Sequence, residues 1–182
     1  MSEPPPCRCR LHKSLGDEAG WDDNDRNLVS DVRSRGWSVC IISDGQPHPA
    51  WAFSVGIWHT FRKPELAMFS LGPQDMGMWI NLIGEQIRFG RTFDLDEPAS
   101  GVLNGFPVRL RLADESWYRG FFGYGLWFYQ DLFPLAQVIW PDRQGKFPWE
   151  PGSGELCRTQ PPLWVARSSI VRATDEPASR SE

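Results

Sequence analysis

Hydrophobic and polar positions along the chain follow two periodicities, one typical of helices and the other of strands. Over residues 73–89 the apolar positions recur at i, i+3, i+4 and i+7, and Gly90 follows, so the pattern predicts an amphipathic helix. Over residues 106–112 apolar and polar positions alternate, which predicts a strand buried on one face. Arg109 and Arg111 are predicted to lie on its other face.

Turn and cap residues delimit the other predicted elements. A first helix begins near Asp22, Asp23 and Asn24, all three of them candidate caps, and ends at about Arg35, where Gly36 stops it. Further strands are predicted at Trp37–Ser43, Trp51–Ile57, Glu65–Leu71 and Leu135–Trp140. Residues 59–64 are predicted as a loop, because Pro64 disfavours helical backbone in the residue before it.

These elements predict an α+β fold with a mixed or mainly antiparallel sheet of about five strands and two or three helices packed on it. A chain of 182 residues fits one domain. Both ends are polar, and the first contains a triple proline. We therefore predict a flexible N-terminal segment over residues 1–20, a single domain over residues 21–165 and a disordered tail over residues 166–182.

Charge and hydropathy exclude two classes of partner. The net charge is −4 and no run of Lys or Arg exceeds two, so no nucleic-acid partner is expected. No stretch approaches the roughly 20 apolar residues that span a bilayer, and the N-terminus lacks the apolar core of a secretory signal. We therefore expect a cytoplasmic protein without a membrane partner, whose four cysteines are reduced thiols.

Aromatic residues are unusually frequent, with 10 Trp and 11 Phe in the chain. They are densest over residues 115–129, which predict a poor helix because aromatic side chains occupy every side of it. Either the coil at residues 144–162 covers these rings, or part of them forms an exposed binding surface. A homodimer through residues 115–129 is a further possibility, and it is compatible with either of the two functions considered below.

Four segments resemble a bacterial domain of unknown function, family 4262. They are Arg35–Val39; Trp51–Ile57 with Lys63–Leu66; the helix leading to Phe89–Gly90; and Gln137–Asp142 with Gly145–Trp149 and Gln160–Pro161. The resemblance covers roughly residues 20–165 and implies a single bacterial domain, but it implies no activity because the family is uncharacterised. Many members also share an N-terminal Cys-x-x-Cys segment, from which Cys7-x-Cys9 with His12 departs.

Cys7, Cys9 and His12 are three residues of the types that bind zinc. A structural zinc site needs four ligands, usually as two separated pairs. Cys157, the nearest remaining candidate for a fourth ligand, is far away in the sequence. We therefore expect no metal and no cofactor, and we interpret these cysteines as surface thiols in a mobile segment.

The residues with catalytic potential also have structural explanations. His59 lies in the predicted loop, where it is either a general base or a residue bonded to backbone groups. Ser54 lacks the flanking glycine of a nucleophile elbow. Asp142 is either a catalytic carboxylate or the residue that closes a turn after a strand. No nucleophile–base pair follows from the sequence.

Two functions fit these observations. The first is a non-catalytic protein-binding module, such as a toxin-neutralising, immunity-like protein, whose partner is a toxin or a neighbouring gene product. The alternative is a small-molecule-binding domain or small enzyme with a pocket near His59, Arg62, Arg109 and Asp142, because arginines suit carboxylate and phosphate groups. The candidate binding residues are Trp58, His59, Arg62, Arg109, Trp117, Tyr124, Trp127, Asp142 and Trp149.

Overall fold

The fold is built on a mixed sheet of six strands, seen in a computed structural model that describes residues 7–12, 18, 20–43 and 48–170. The strand order is β1-β2-β3-β6-β5-β4. The strands are β1 (Ser38–Ile42), β2 (Trp51–Val55), β3 (Glu65–Phe69), β4 (Ala99–Leu103), β5 (Phe106–Leu112) and β6 (Leu135–Ile139). Only the neighbours β3 and β6 run parallel. The α+β class and the mixed sheet are therefore confirmed.

Helices cover both faces of this sheet. They are α1 (Asp23–Arg35), α2 (Ile57–Phe61), α3 (Pro73–Arg88), α4 (Tyr118–Phe121), α5 (Gly123–Tyr129) and α6 (Glu155–Arg158). The buried side of α3 packs in one apolar layer, while α1, α4 and α5 contribute to a second layer that is rich in aromatic rings. No helix among the described residues is long and apolar enough to cross a membrane.

The ends of α1 match the predicted signals. The Asp22 side chain accepts a hydrogen bond from the backbone N–H of Asp25, and the Asp25 side chain accepts one from the backbone N–H of Asp22. This reciprocal capping box satisfies two donors that the helix cannot satisfy itself. At the other end Gly36 adopts the left-handed conformation, with φ of 94°, and closes the helix.

The segment after β2 differs from its prediction. The predicted strand over residues 51–57 ends at Val55, and the helix α2 begins at the last residue of that prediction and extends over residues 59–61 of the predicted loop. Gly56 has a φ of 119°, and a Cβ at this position would lie 2.7 Å from the carbonyl oxygen of Gly36. Only glycine tolerates that conformation and that approach. The chain therefore leaves the strand one residue after Val55. The close approach of Gly56 to Gly36, which is distant in the sequence, requires this turn.

Strand β4 is absent from the sequence prediction. Its sequence, Ala-Ser-Gly-Val-Leu, contains few residues that favour strands. It pairs with β5 through an irregular register, between Ala99↔Val108 and Leu103↔Phe106. This strand forms because it pairs with β5 at the edge of the sheet. Its own residues do not predict that pairing.

Residues 115–129 form a broken helix that packs on the sheet. A 3-10 turn at residues 115–117 leads into α4, and Phe122, with φ of −122° and ψ of 40°, separates α4 from α5. Six of the eight aromatic rings in this region are buried: Trp117, Tyr118, Phe121, Phe122, Phe128 and Tyr129. They share an apolar layer with the inner side of α1 and with Phe53 and Phe69 of the sheet. The sheet and α1 therefore help to cover rings that the sequence assigned either to the coil at 144–162 or to an exposed surface.

Two glycines on the buried side of α3 allow a test of its close packing. We expect Gly84→Ala to destabilise the fold by about 1–3 kcal/mol, because the new methyl group would lie 2.7 Å from the buried Trp37 ring. That ring is fixed by its hydrogen bond to Asn81. Urea unfolding measures the change.

Gly77→Ala is the matched control in the same helix. Its added methyl group would meet only the end of the exposed Ile41 side chain, which can move. We expect Gly77→Ala to change stability little, or to stabilise the helix by up to about 1 kcal/mol. Equal unfolding midpoints for the two variants would contradict the packing described for Gly84.

Candidate metal centre

Four side chains with metal-binding atoms converge at one end of the aromatic layer. They are Cys7, Cys9, His12 and His59, and one ligand atom from each lies within 4.8 Å of all the others. The two cysteines are buried, His59 is half-buried and His12 is exposed. Residues from two parts of the chain, about 50 positions apart, thus form one cluster of two thiols and two imidazoles.

Local backbone geometry places the three N-terminal members together. Cys7 and Cys9 are two positions apart, and both side chains are buried in the aromatic layer. Residues 10–12 then form a 3-10 turn, in which the N–H of His12 donates to the carbonyl oxygen of Cys9 at 3.1 Å. Because side chains three positions apart are eclipsed in such a turn, His12 lies above Cys9.

The N-terminal segment, residues 7–12, is packed against the core. The Nε atom of Arg10 donates to the carbonyl oxygen of Trp127 at 2.8 Å, and its guanidinium group lies 4.4 Å from the centre of the Trp127 ring. Cys9 has no exposed surface and belongs to the same apolar layer as Phe128. Residues 7–12 of the segment predicted to be flexible thus make specific contacts with α5.

The distances from His59 to the two sulfur atoms and to the His12 ring are close to those of tetrahedral zinc. The Nδ1 atom of His59 lies 3.1 Å from the sulfur of Cys9 and 3.7 Å from the sulfur of Cys7. Zinc bonds of about 2.3 Å to sulfur and about 2.0 Å to nitrogen place such atoms about 3.5 Å apart in a tetrahedron. The ring centres of His12 and His59 are 5.2 Å apart, close to the roughly 5 Å expected for two imidazoles on one zinc ion.

Burial sets the protonation of the two ligands that face each other most closely. It raises the pKa of the Cys9 thiol to about 12, and the neighbouring Cys7 side chain adds to the effect. Burial, followed by the charges of His12 and Arg62, lowers the pKa of His59. At neutral pH His59 therefore offers a neutral nitrogen, whereas Cys9 must lose its proton when it binds a metal.

A buried carboxylate fixes the helix that carries His59. Glu65, at the start of β3, is fully buried. Its Oε1 atom accepts hydrogen bonds from the backbone N–H groups of Gly56 at 2.8 Å and Trp58 at 3.0 Å, and also from the Tyr129 hydroxyl. Its Oε2 atom accepts one from the Ser54 hydroxyl at 2.5 Å. Burial raises the pKa of Glu65, and these four hydrogen bonds partly oppose that rise.

Tyr129 connects this carboxylate to His59 itself. Its hydroxyl oxygen accepts from the backbone N–H of His59 at 3.3 Å and from that of Gly56 at 3.1 Å, while its proton is donated to Glu65. Burial and the Glu65 charge raise the pKa of Tyr129, which keeps the hydroxyl protonated. The backbone N–H groups of Trp58 and His59, in the first turn of α2, thus find their acceptors on β3 and α5.

An open cleft of about 690 Å³ adjoins the cluster. His12 and His59 form part of its wall, and Arg33, Arg35 and Arg88 line another part. Each arginine is paired with a nearby carboxylate, on Glu18, Asp31 and Glu85 respectively. The cleft gives solvent a route to the two histidines.

The four residues of the alternative pocket do not converge. His59 and Arg62 precede β3, while Asp142 follows β6, which runs parallel to β3. Arg109 pairs with Ile139, at the same end of the sheet as Asp142. The two pairs are therefore separated by a strand of five residues, or about 16 Å. Asp142 accepts hydrogen bonds from the backbone N–H groups of Gln144, Lys146 and Gly154, which matches the turn-closing interpretation.

Most other candidate binding residues have structural contacts. Trp58 is buried with Arg62 stacked on it, and the buried Trp117 donates to the carbonyl oxygen of Val165. Tyr124 and Trp127 are half-buried and line a second cleft, of about 440 Å³. Trp149 remains 40% exposed. Among these residues, only His59 belongs to the metal-ligand cluster.

The fourth member of the cluster and the side chains that support it were not predicted from the sequence. Cys7, Cys9 and His12 formed a recognisable set, but His59 was considered only as a base or a loop residue. Nothing local to His59 links it to residues that lie about 50 positions earlier. A single buried acidic residue among apolar ones, at Glu65, was the only signal for the supporting network.

Among known proteins, the chain matches one family model. The model of the Domain of unknown function (DUF4262) matches residues 31–154. No curated protein and no solved structure matches the chain. His59, Glu65 and Tyr129 lie within the matched range, whereas the three N-terminal members of the cluster precede it. Because the match covers more than half of the chain, the protein belongs to the DUF4262 family of domains of unknown function.

Proposed function

We propose that this chain is a zinc-binding domain whose centre consists of Cys7, Cys9, His12 and His59. The observation that carries this proposal is the convergence of four nitrogen and sulfur ligands within 4.8 Å of one another. Thiolate and imidazole ligands in a tetrahedral arrangement favour zinc among the common divalent cations. Two thiolates also balance the two positive charges of the ion, which reduces the cost of holding it in a partly buried site.

A structural role for the zinc fits the ligand count. Catalytic zinc sites keep a coordination position open, whereas four protein ligands complete a tetrahedron. Three ligands come from the N-terminal segment and one from α2, so the ion would fasten that segment to the core. We also propose a cytoplasmic location, where a reducing environment keeps both thiols available as ligands.

Cobalt titration tests the ligand set. We expect the full chain to bind one Co²⁺ with the intense visible absorption of tetrahedral coordination and a thiolate-to-metal charge-transfer band, and to exchange it for Zn²⁺. Cys9→Ser and His59→Ala each remove one ligand, so they should weaken binding by more than about a hundredfold, beyond the typical effect of changing an outer-shell group.

Cys40→Ser is the matched control for this titration. Cys40 is a half-buried free thiol on β1, outside the cluster, and its loss should leave the spectrum and the affinity unchanged. Cobalt binding without charge-transfer absorption, or equal affinity in the wild type and Cys9→Ser, would exclude the proposed centre.

Zinc affinity should increase with pH. Because the pKa of Cys9 is raised to about 12, the metal must displace its proton throughout the range from about pH 6 to about pH 8. Each displaced proton adds roughly tenfold in affinity per pH unit. Chelator competition at several pH values measures this slope, and calorimetry in buffers of different ionisation enthalpy counts the protons released. An affinity independent of pH would contradict thiolate ligation.

We also propose that the domain is a non-catalytic protein-binding module, with an immunity-like role as its specific form. The observation that favours this function is a partly exposed aromatic surface beside β5. The guanidinium group of Arg111 lies 4.0 Å from the centre of the Trp149 ring and 4.8 Å from that of Trp164. Trp and Arg dominate the energetics of protein interfaces, and Trp149 is presented here at 40% exposure.

Affinity measurements with the products of neighbouring genes test this second function. We expect Trp149→Ala to weaken binding of the partner at least about tenfold, the usual effect of removing an interface anchor. Phe89→Ala is the control, since Phe89 is 84% exposed but follows α3, which packs on the other face of the sheet. The absence of any partner among these products, or equal losses for both variants, would argue against this binding surface.

A further inference from the structure

The last turn of α5 contacts both parts of the chain that contribute to the cluster, namely residues 7–12 and the helix α2. The carbonyl oxygen of Trp127 accepts a hydrogen bond from the side chain of Arg10, which lies between Cys9 and His12 in the sequence. Two residues later, the Tyr129 hydroxyl accepts from the backbone N–H of His59. One short helix therefore contacts both the N-terminal segment and α2, which have no covalent link nearby.

Helix α2 cannot hold His59 in place by itself. It has only five residues, and helices of this length are not stable in isolation. No side chain within the helix or at its N-cap satisfies its first N–H groups. Gly56 and Arg62, the residues that flank it, both have left-handed backbone. Its position is therefore set by contacts from outside the helix.

The contacts at its first turn come from Glu65 and Tyr129. Together these two side chains accept hydrogen bonds from the backbone N–H groups of Gly56, Trp58 and His59. The Tyr129 hydroxyl is used fully, with two hydrogen bonds accepted and one donated to Glu65. All of these groups except His59 are buried, so loss of one leaves buried partners unsatisfied.

We propose that Tyr129, acting with Glu65, is a positioning residue of the metal centre that fixes the backbone of His59 for ligation. This inference rests on the proposed zinc-binding function. Metal affinity depends on how closely the free ligands already match the bound arrangement, and groups behind the ligands commonly contribute tenfold to hundredfold. The role of Tyr129 is thus to hold the imidazole of His59 beside the two sulfur atoms, without contacting the metal.

Tyr129→Phe tests this role, with Tyr118→Phe as the matched control. Both substitutions remove one buried hydroxyl from the same aromatic layer, but that of Tyr118 donates to the carbonyl oxygen of Phe133 and not to α2. The full chain is titrated with Co²⁺ and then with Zn²⁺ in competition with a chelator. The thermal unfolding of each metal-free variant is measured in parallel.

We expect Tyr129→Phe to weaken zinc binding about tenfold to hundredfold and to change the visible cobalt spectrum towards that of His59→Ala. Tyr118→Phe should lower the unfolding temperature of the metal-free chain but leave both the affinity and the spectrum close to those of the wild type. A purely structural role of Tyr129 would lower stability in the same way without changing the spectrum. That outcome would overturn the inference.

Glu65→Gln provides a second measurement if Tyr129→Phe does not fold. The amide retains the shape of the side chain and one acceptor oxygen, so it should weaken zinc binding by a smaller factor and alter the cobalt spectrum in the same direction. An affinity and spectrum equal to those of the wild type would overturn the inference in this variant too.

The failure of the zinc-binding function can be told apart from the failure of the positioning role. If the wild type binds neither metal, the zinc-binding function fails. If the wild type binds zinc and Tyr129→Phe binds it equally well, only the positioning role fails.

Discussion

The fold depends on the four hydrogen bonds that compensate one buried carboxylate group, that of Glu65. Glu65 has no contact with water, and it is compensated by hydrogen bonds from two backbone N–H groups and two hydroxyl groups rather than by a positive charge. A buried charge without such partners would be very costly. The four donors come from the end of β2, from α2 and from α5, so these elements must meet at the start of β3.

This constraint explains why the candidate metal centre lies where it does. Glu65 and Tyr129 fix the first turn of α2, and His59 follows from that turn. The same region of α5 holds Arg10 through the Trp127 carbonyl oxygen, which brings Cys9 and His12 to the opposite side of the cluster. Residues 7–12 include few apolar side chains. A zinc ion would then attach these residues to a core that is already organised.

Features that depend on nearby residues could be predicted from the sequence, whereas features that depend on distant residues could not. The bounds of α1 and α3 followed from caps, glycines and apolar spacing. The helix α2 was not predicted: its first residue was assigned to a strand and its last three to a loop, because two of its N-terminal donors are satisfied by Glu65 and Tyr129 rather than by an adjacent cap. For the same reason the three N-terminal ligands were recognised, but the absence of a fourth led to the expectation that no metal would bind.

The sequence by itself determined the α+β class, a sheet that is mixed or mainly antiparallel, the membership of the family and the chemical types of three side chains in the cluster. These properties are encoded in periodicity, turn residues and short motifs, all of which act over a few positions. Only the tertiary structure decided that His59 meets Cys7 and Cys9 and that Arg109 and Asp142 lie far from His59. It also decided that six of the eight aromatic rings over residues 115–129 are buried in a layer with the sheet and α1. Strand pairing and the burial of Glu65 bring residues about 50 positions apart into contact, and no local pattern specifies which residues meet.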